Sequence, residues 1–81
     1  MLDQVRRIVS QVMGIPIEKI DEESSPDTIE GWDSLKHINL ILALEEEFRV
    51  QFNDEQIVEM LSVGLIVEIL SEVKSEDKEN V

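Results

Sequence analysis

Ser34 and its neighbours are where this chain could do chemistry. The stretch "GWDSLKHINLI", residues 31–41, puts Asp33 directly before Ser34 and the single histidine, His37, three residues after it. Residues three apart share a side of a helix, so Ser34 and His37 could pair as nucleophile and base. Such a pair also needs an orienting group and an oxyanion hole. No Gly-x-Ser-x-Gly elbow surrounds the serine, and the angular position of His37 leans towards the apolar side of the helix. Self-contained catalysis is not expected, no catalytic residue is assigned, and His37 reads as a partly buried residue beside the preceding loop.

Other chemistries find less support. "DEESSPDTIE", residues 21–30, is acidic but lacks the central glycine and terminal glutamate of a calcium loop. No glycine-rich phosphate loop and no His/Cys cluster is present, so no metal site is expected. Glu45, Glu46 and Glu47 are consecutive on a helix surface and do not converge. What remains is a serine modified by another protein. At the first position of a helix, free N–H groups and the helix dipole favour an added phosphate-type charge. Ordinary phosphorylation could use such a position.

The chain that must place this serine has 81 residues, which argues for one domain. A domain of that size buries roughly 60% of its unfolded surface, enough for one thin core and no deep cleft. There is no cysteine, which rules out disulfides and thiolate metal sites. The net charge of -12 disfavours nucleic acid and anionic membranes as partners and favours basic protein surfaces. Apolar residues make up 42%, too many for a disordered acidic chain. Arg6, Arg7 and Gln11 interrupt any signal-peptide core, and no apolar run approaches the roughly 20 residues of a membrane span. A cytoplasmic protein without membrane insertion is the expectation.

Periodicity predicts only helices. Leu2, Val5, Ile8, Val9, Val12 and Met13 fall at helical spacing over 2–13. Gly14 and Pro16 end that helix. Residues 15–33 form a long first loop, with Ile15, Ile17, Ile20 and Ile29 as anchors and a turn of helix possible over 17–21. Asp33 caps a second helix over 34–48. Trp32 is placed to pack back onto its first turn near His37. Asn53 and Gln56 form a capping-box pattern for a short helix over about 54–60. Ser62 caps a last helix over about 63–73. The fold class is all-α: a small antiparallel four-helix bundle with three longer helices and one short third helix. Residues 1–75 form the domain and 76–81 a polar, flexible tail.

The second helix carries more apolar surface than one core can use. At roughly 100° per residue, Leu40, Ile41, Leu44 and Phe48 share a core stripe with His37. Leu35 and Leu42 fall nearly opposite. They could be ordinary exposed residues, or the helix could be central and buried all round. The third reading is a docking ridge beside Ser34 with an acidic rim of Asp33, Glu45 and Glu46.

"GWDSLKHINLILALEEEF" resembles the acyl carrier protein family, whose hallmark is Asp-Ser-Leu opening the second helix, here Asp33, Ser34 and Leu35. The resemblance extends through "FNDEQI" and covers nearly the whole chain. It implies that Ser34 bears covalent 4'-phosphopantetheine, transferred from coenzyme A by a separate, magnesium-dependent phosphopantetheinyl transferase. Acyl groups would ride as thioesters on the imported thiol. The chain would be a monomeric carrier rather than an enzyme, serving fatty-acid, polyketide or related specialised biosynthesis. An aminoacyl or peptidyl carrier is the alternative, and an acidic interaction module without cofactor is another. Acyl-loading and acyl-processing enzymes would dock basic patches on Asp33, Leu35, Leu42, Glu45 and Glu46. Lys36 and Asn39, on the same face, stand where fatty-acid members carry acids, which points to different partners. The form Trp32-Asp33-Ser34 is more similar to specialised or polyketide-associated carriers. The acyl pocket implied by the resemblance is lined by Leu40, Leu44, Phe48, Ile57, Met60 and Leu61.

Overall fold

Caps and left-handed turns mark most of the helix boundaries. In the computed structural model, which describes the backbone of residues 1–79 and the side chains of 1–74, α1 spans Leu2–Met13. It ends at Gly14, whose left-handed φ of 71° lets its amide reach back to the Ser10 carbonyl at 2.9 Å. A single 3₁₀ turn, Ile17–Lys19, follows. α2 spans Ser34–Phe48, α3 Asp54–Glu59 and α4 Val63–Glu79. No strand occurs among the described residues.

The capping chemistry holds at three helix starts. The Asp33 carboxylate accepts the Lys36 amide at 2.8 Å. Asn53 and Gln56 form both bonds of the capping box, at 2.8 and 2.9 Å. The Ser62 hydroxyl accepts the Leu65 amide at 3.2 Å. The last helix differs from expectation: it continues to Glu79 rather than stopping near 73. Its final stretch, "SEDKE", has no apolar stripe to announce a helix, yet contains no glycine or proline to end one. The tail assigned to 76–81 falls on residues whose side chains, and at 80 and 81 the backbone, lie outside the described residues.

One contiguous core joins all the elements. α1 packs against both α2 and α4. Val5 and Val9 of α1, Leu40 and Leu44 of α2, and Ile66 and Leu70 of α4 have no exposed surface. Met60, between α3 and α4, is equally buried.

The long loop is fastened at both its apolar and its polar groups. Ile20 and Ile29 are buried as anchors, whereas Ile15 and Ile17 are only half-buried. The Ser24 and Glu22 carbonyls accept the Val63 and Gly64 amides, both at 2.9 Å, so the loop satisfies orphan donors at the start of α4. Arg6 clamps the other side. Its guanidinium donates to the Ile20 carbonyl at 2.7 Å and the Ile17 carbonyl at 3.0 Å. The charge-assisted clamp predicts that Arg6→Ala lowers stability by about 1.5–3 kcal/mol, seen as a lower urea midpoint at unchanged slope. Arg7→Ala, at an exposed position of the same helix, shifts it by no more than about 0.5 kcal/mol.

Candidate functional site

Ser34 is exposed and is the first residue of α2. Gly31, at φ 97°, turns the chain immediately before it. Asp33 then adopts the extended conformation of a cap, and its carboxylate takes the Lys36 amide. The cap satisfies one first-turn donor and leaves the serine hydroxyl without a hydrogen-bond partner among the described residues. The helix dipole directs partial positive charge at the same point.

His37 is half-buried and fully occupied. An indole N–H can only donate and a carbonyl can only accept. The Trp32 indole N–H therefore donates to His37 Nδ1 at 3.0 Å, and His37 Nε2 carries a proton that it donates to the Ile57 carbonyl at 2.9 Å. The two rings also stack, with centroids 6.1 Å apart. Both nitrogens are engaged away from Ser34, so His37 is no base for it.

The exposed side of α2 gathers most of the expected partner face. Leu35 and Leu42 are 67% and 58% exposed, and Asn39 and Glu46 are exposed with them. These four fall on one stripe at helical spacing. The helix is therefore neither buried all round nor apolar on one side only. Asp33 is exposed at the end of this face, and Lys36 is half-buried. Glu45 differs. Half-buried, it accepts the Phe52 amide at 2.9 Å and holds the α2–α3 connection.

A groove of about 400 Å³ opens beside Ser34, which is itself part of its wall. Ile57 and Leu61, two of the residues named for the acyl pocket, line it. Leu40, Leu44 and Met60 do not: they are fully buried core. Phe48 lies at the opposite end of α2, about 20 Å along the axis, where it lines a separate opening with Met1, Gln4 and Lys74. The resemblance implies a lining from inward-facing apolar residues, but helical phase does not indicate how deep an opening runs. The remaining walls are Pro26, Trp32, Asp33, His37, Ile38 and Val58. Val58, 71% exposed, was discoverable as an apolar residue on a polar turn; the His37–Ile57 bond, spanning 20 residues, had no sequence signal.

An exposed serine at a capped helix start beside an apolar groove fits a tethered group with a phosphate at its root and an apolar end. The family model of the phosphopantetheine attachment site matches residues 3–70. The acyl carrier protein of Clostridium acetobutylicum is 39% identical over 67 residues, covering 83% of this chain and 87% of that protein. The chain belongs to the acyl carrier protein family. Acyl carrier protein 3 of Ralstonia nicotianae is 36% identical over 55 residues, which cover 68% of this chain and 63% of that relative. The solution structure of the holo acyl carrier protein of Geobacter metallireducens superposes with a TM-score of 0.86 at 28% identity, over 99% of this chain and 92% of that one. Membership makes the chain a carrier bearing covalent phosphopantetheine. Among the described residues, no helix is long and apolar enough to cross a membrane.

The cap at the head of this carrier's second helix can be tested apart from its charge. Asp33→Ala lowers stability by about 1 kcal/mol, whereas Asp33→Asn, which keeps the accepting oxygen, changes it by only a few tenths. Chemical denaturation of both variants measures the difference.

Proposed function

We propose that Ser34 is the residue that carries the arm, and that the chain presents acyl thioesters to enzymes of a specialised biosynthetic pathway. The observation that carries the reading is the exposed, hydrogen-bond-free Ser34 hydroxyl at the Asp33-capped start of α2. A transferase needs that oxygen free and approachable. Ser34 Oγ attacks a phosphorus of the coenzyme A pyrophosphate, the P–O–P bond breaks, and adenosine bisphosphate leaves. The hydroxyl proton passes to a base of the transferase, since His37 is engaged elsewhere. When bound, phosphopantetheine supplies the thiol that a cysteine-free chain lacks.

The chain's own part is to bind, orient and present. Leu35 and Leu42 offer an apolar ridge, and Asp33 and Glu46 a charged rim. Transient interfaces combine grip and steering in this way. Lys36 and Asn39 make that face less acidic beside Ser34 and favour partners other than those of housekeeping fatty-acid synthesis. A net charge of -12 attracts basic docking patches and the phosphopantetheinyl transferase, and gives association a marked salt dependence. The chain acts as a monomeric platform in the cytoplasm rather than as a catalyst. Residues 1–75 suffice as the carrier domain.

Incubation with coenzyme A, magnesium and a broad-specificity transferase tests this reading. Intact-mass measurement is expected to find one added phosphopantetheine on the native protein and none on Ser34→Ala. No gain on the native protein with a transferase active on another carrier would contradict it, as would a gain on the alanine variant.

A further inference from the structure

The groove beside Ser34 does not reach Leu40, Leu44 or Met60, and hydrogen bonds join the residues of its floor. The rim is open: Ile38, Val58 and Leu61 are all more than half exposed. The floor is Trp32, His37 and Ile57, which are buried or half-buried. Leu40, Leu44 and Met60 have no exposed surface, and none of them reaches the groove.

The floor is one bonded unit. Trp32 belongs to the loop before α2, His37 to α2 and Ile57 to α3. The Trp32 indole N–H, the two His37 nitrogens and the Ile57 carbonyl run in series at 3.0 and 2.9 Å. The Ile57 carbonyl lies near the end of the six-residue α3, where carbonyls lack intrahelical partners. The Met60 amide reaches it only at 3.4 Å, so His37 is its closer donor. Parting α3 from α2 would break the histidine bond and leave polar atoms against apolar side chains.

We propose that Trp32, His37 and the Ile57 carbonyl form a latch that holds α3 shut against α2, so that an acyl chain carried on Ser34 lies in the outer groove and is denied the Leu40–Leu44–Met60 core. The inference rests on Ser34 bearing the arm. Its consequence is a cargo class. The groove is shallow, with Ile38, Val58 and Leu61 exposed along its rim, so a chain lying in it keeps one side in water. Further methylenes of a longer chain stay partly in water and gain little burial. The carrier is therefore suited to short cargo, and long saturated chains remain accessible to solvent. Trp32 and His37 are positioning residues here: neither takes part in the transfer to Ser34, and both decide where the cargo can go.

The test uses full-length protein loaded at Ser34 by a transferase from acetyl- or octanoyl-coenzyme A, with loading verified by mass. Methyl NMR of Leu40, Leu44 and Met60 and the rate of thioester cleavage by hydroxylamine are then compared. In the native protein the core methyl resonances are the same for both cargoes, and the two thioesters are cleaved in the same ratio of rates as the free acetyl- and octanoyl-coenzyme A thioesters. In His37→Ala, which removes both bonds, octanoyl loading shifts those methyls. It also slows cleavage on the order of tenfold, the population shift that burial of about two methylenes supplies. Trp32→Phe keeps an aromatic ring, removes only the N–H donor and moves both readouts in the same direction, so the test survives if the histidine variant fails to fold. Core shifts in native octanoyl protein would overturn the latch, and so would loaded variants that behave like the native protein. Failure to load at Ser34 at all would remove the carrier assignment of that residue and the cargo role of the latch with it.

Discussion

The bond that the Asp33 carboxylate accepts from the Lys36 amide, 2.8 Å long, fixes where α2 begins, and burial of Leu40 and Leu44 fixes its rotational phase. One residue of slippage would turn the helix by roughly 100°. Leu40 and Leu44 would swing away from the core and Leu35 and Leu42 towards it. The same bond sets Ser34 outward at the helix mouth and leaves its hydroxyl free. Stability and the functional position are therefore not separate features of this chain. Loss of the cap would cost about 1 kcal/mol and loosen the helix start on which Ser34 sits.

Around that fixed start, α2 divides its work by direction. One side joins α1 and α4 in the core. The opposite side presents Leu35, Asn39, Leu42 and Glu46 to solvent. The side between, through Ile38 and His37, forms one wall of the groove that faces α3. The ridge and the groove lie on different sides of the helix, so both can be covered at once. A chain of this size has only one thin core. Arg6, the Ser24 and Glu22 carbonyls, and Lys74, which donates to the Phe48 carbonyl at 3.1 Å, tie loop and helix ends by polar bonds where apolar burial is limited.

Much of this was legible in the sequence because it is local. α1 at 2–13 and α2 at 34–48 follow from apolar spacing and from Gly14 and Asp33. The capping box at Asn53 and the Ser62 cap connect residues three apart, so the pattern and the bond are nearly the same thing. The Trp32–His37 contact was also within reach, at a spacing of five. The end of α4 was not legible: its last turns are polar, and polar helix formers leave no periodic signal. The His37–Ile57 bond and the engagement of Glu45 by the Phe52 amide were hidden because they depend on how α3 returns to α2. The depth of the groove was hidden for the same reason, which is why Leu40, Leu44 and Met60 turned out to be core rather than lining.

The most direct measurement is residue-level fragmentation mass spectrometry of the protein isolated from its own cells. The account predicts phosphopantetheine on the Ser34-containing peptide, with fragment ions locating it at Ser34, and a thioester-linked acyl group on a fraction of the molecules. A bare Ser34 throughout the population, or the group attached at any other hydroxyl, would contradict it.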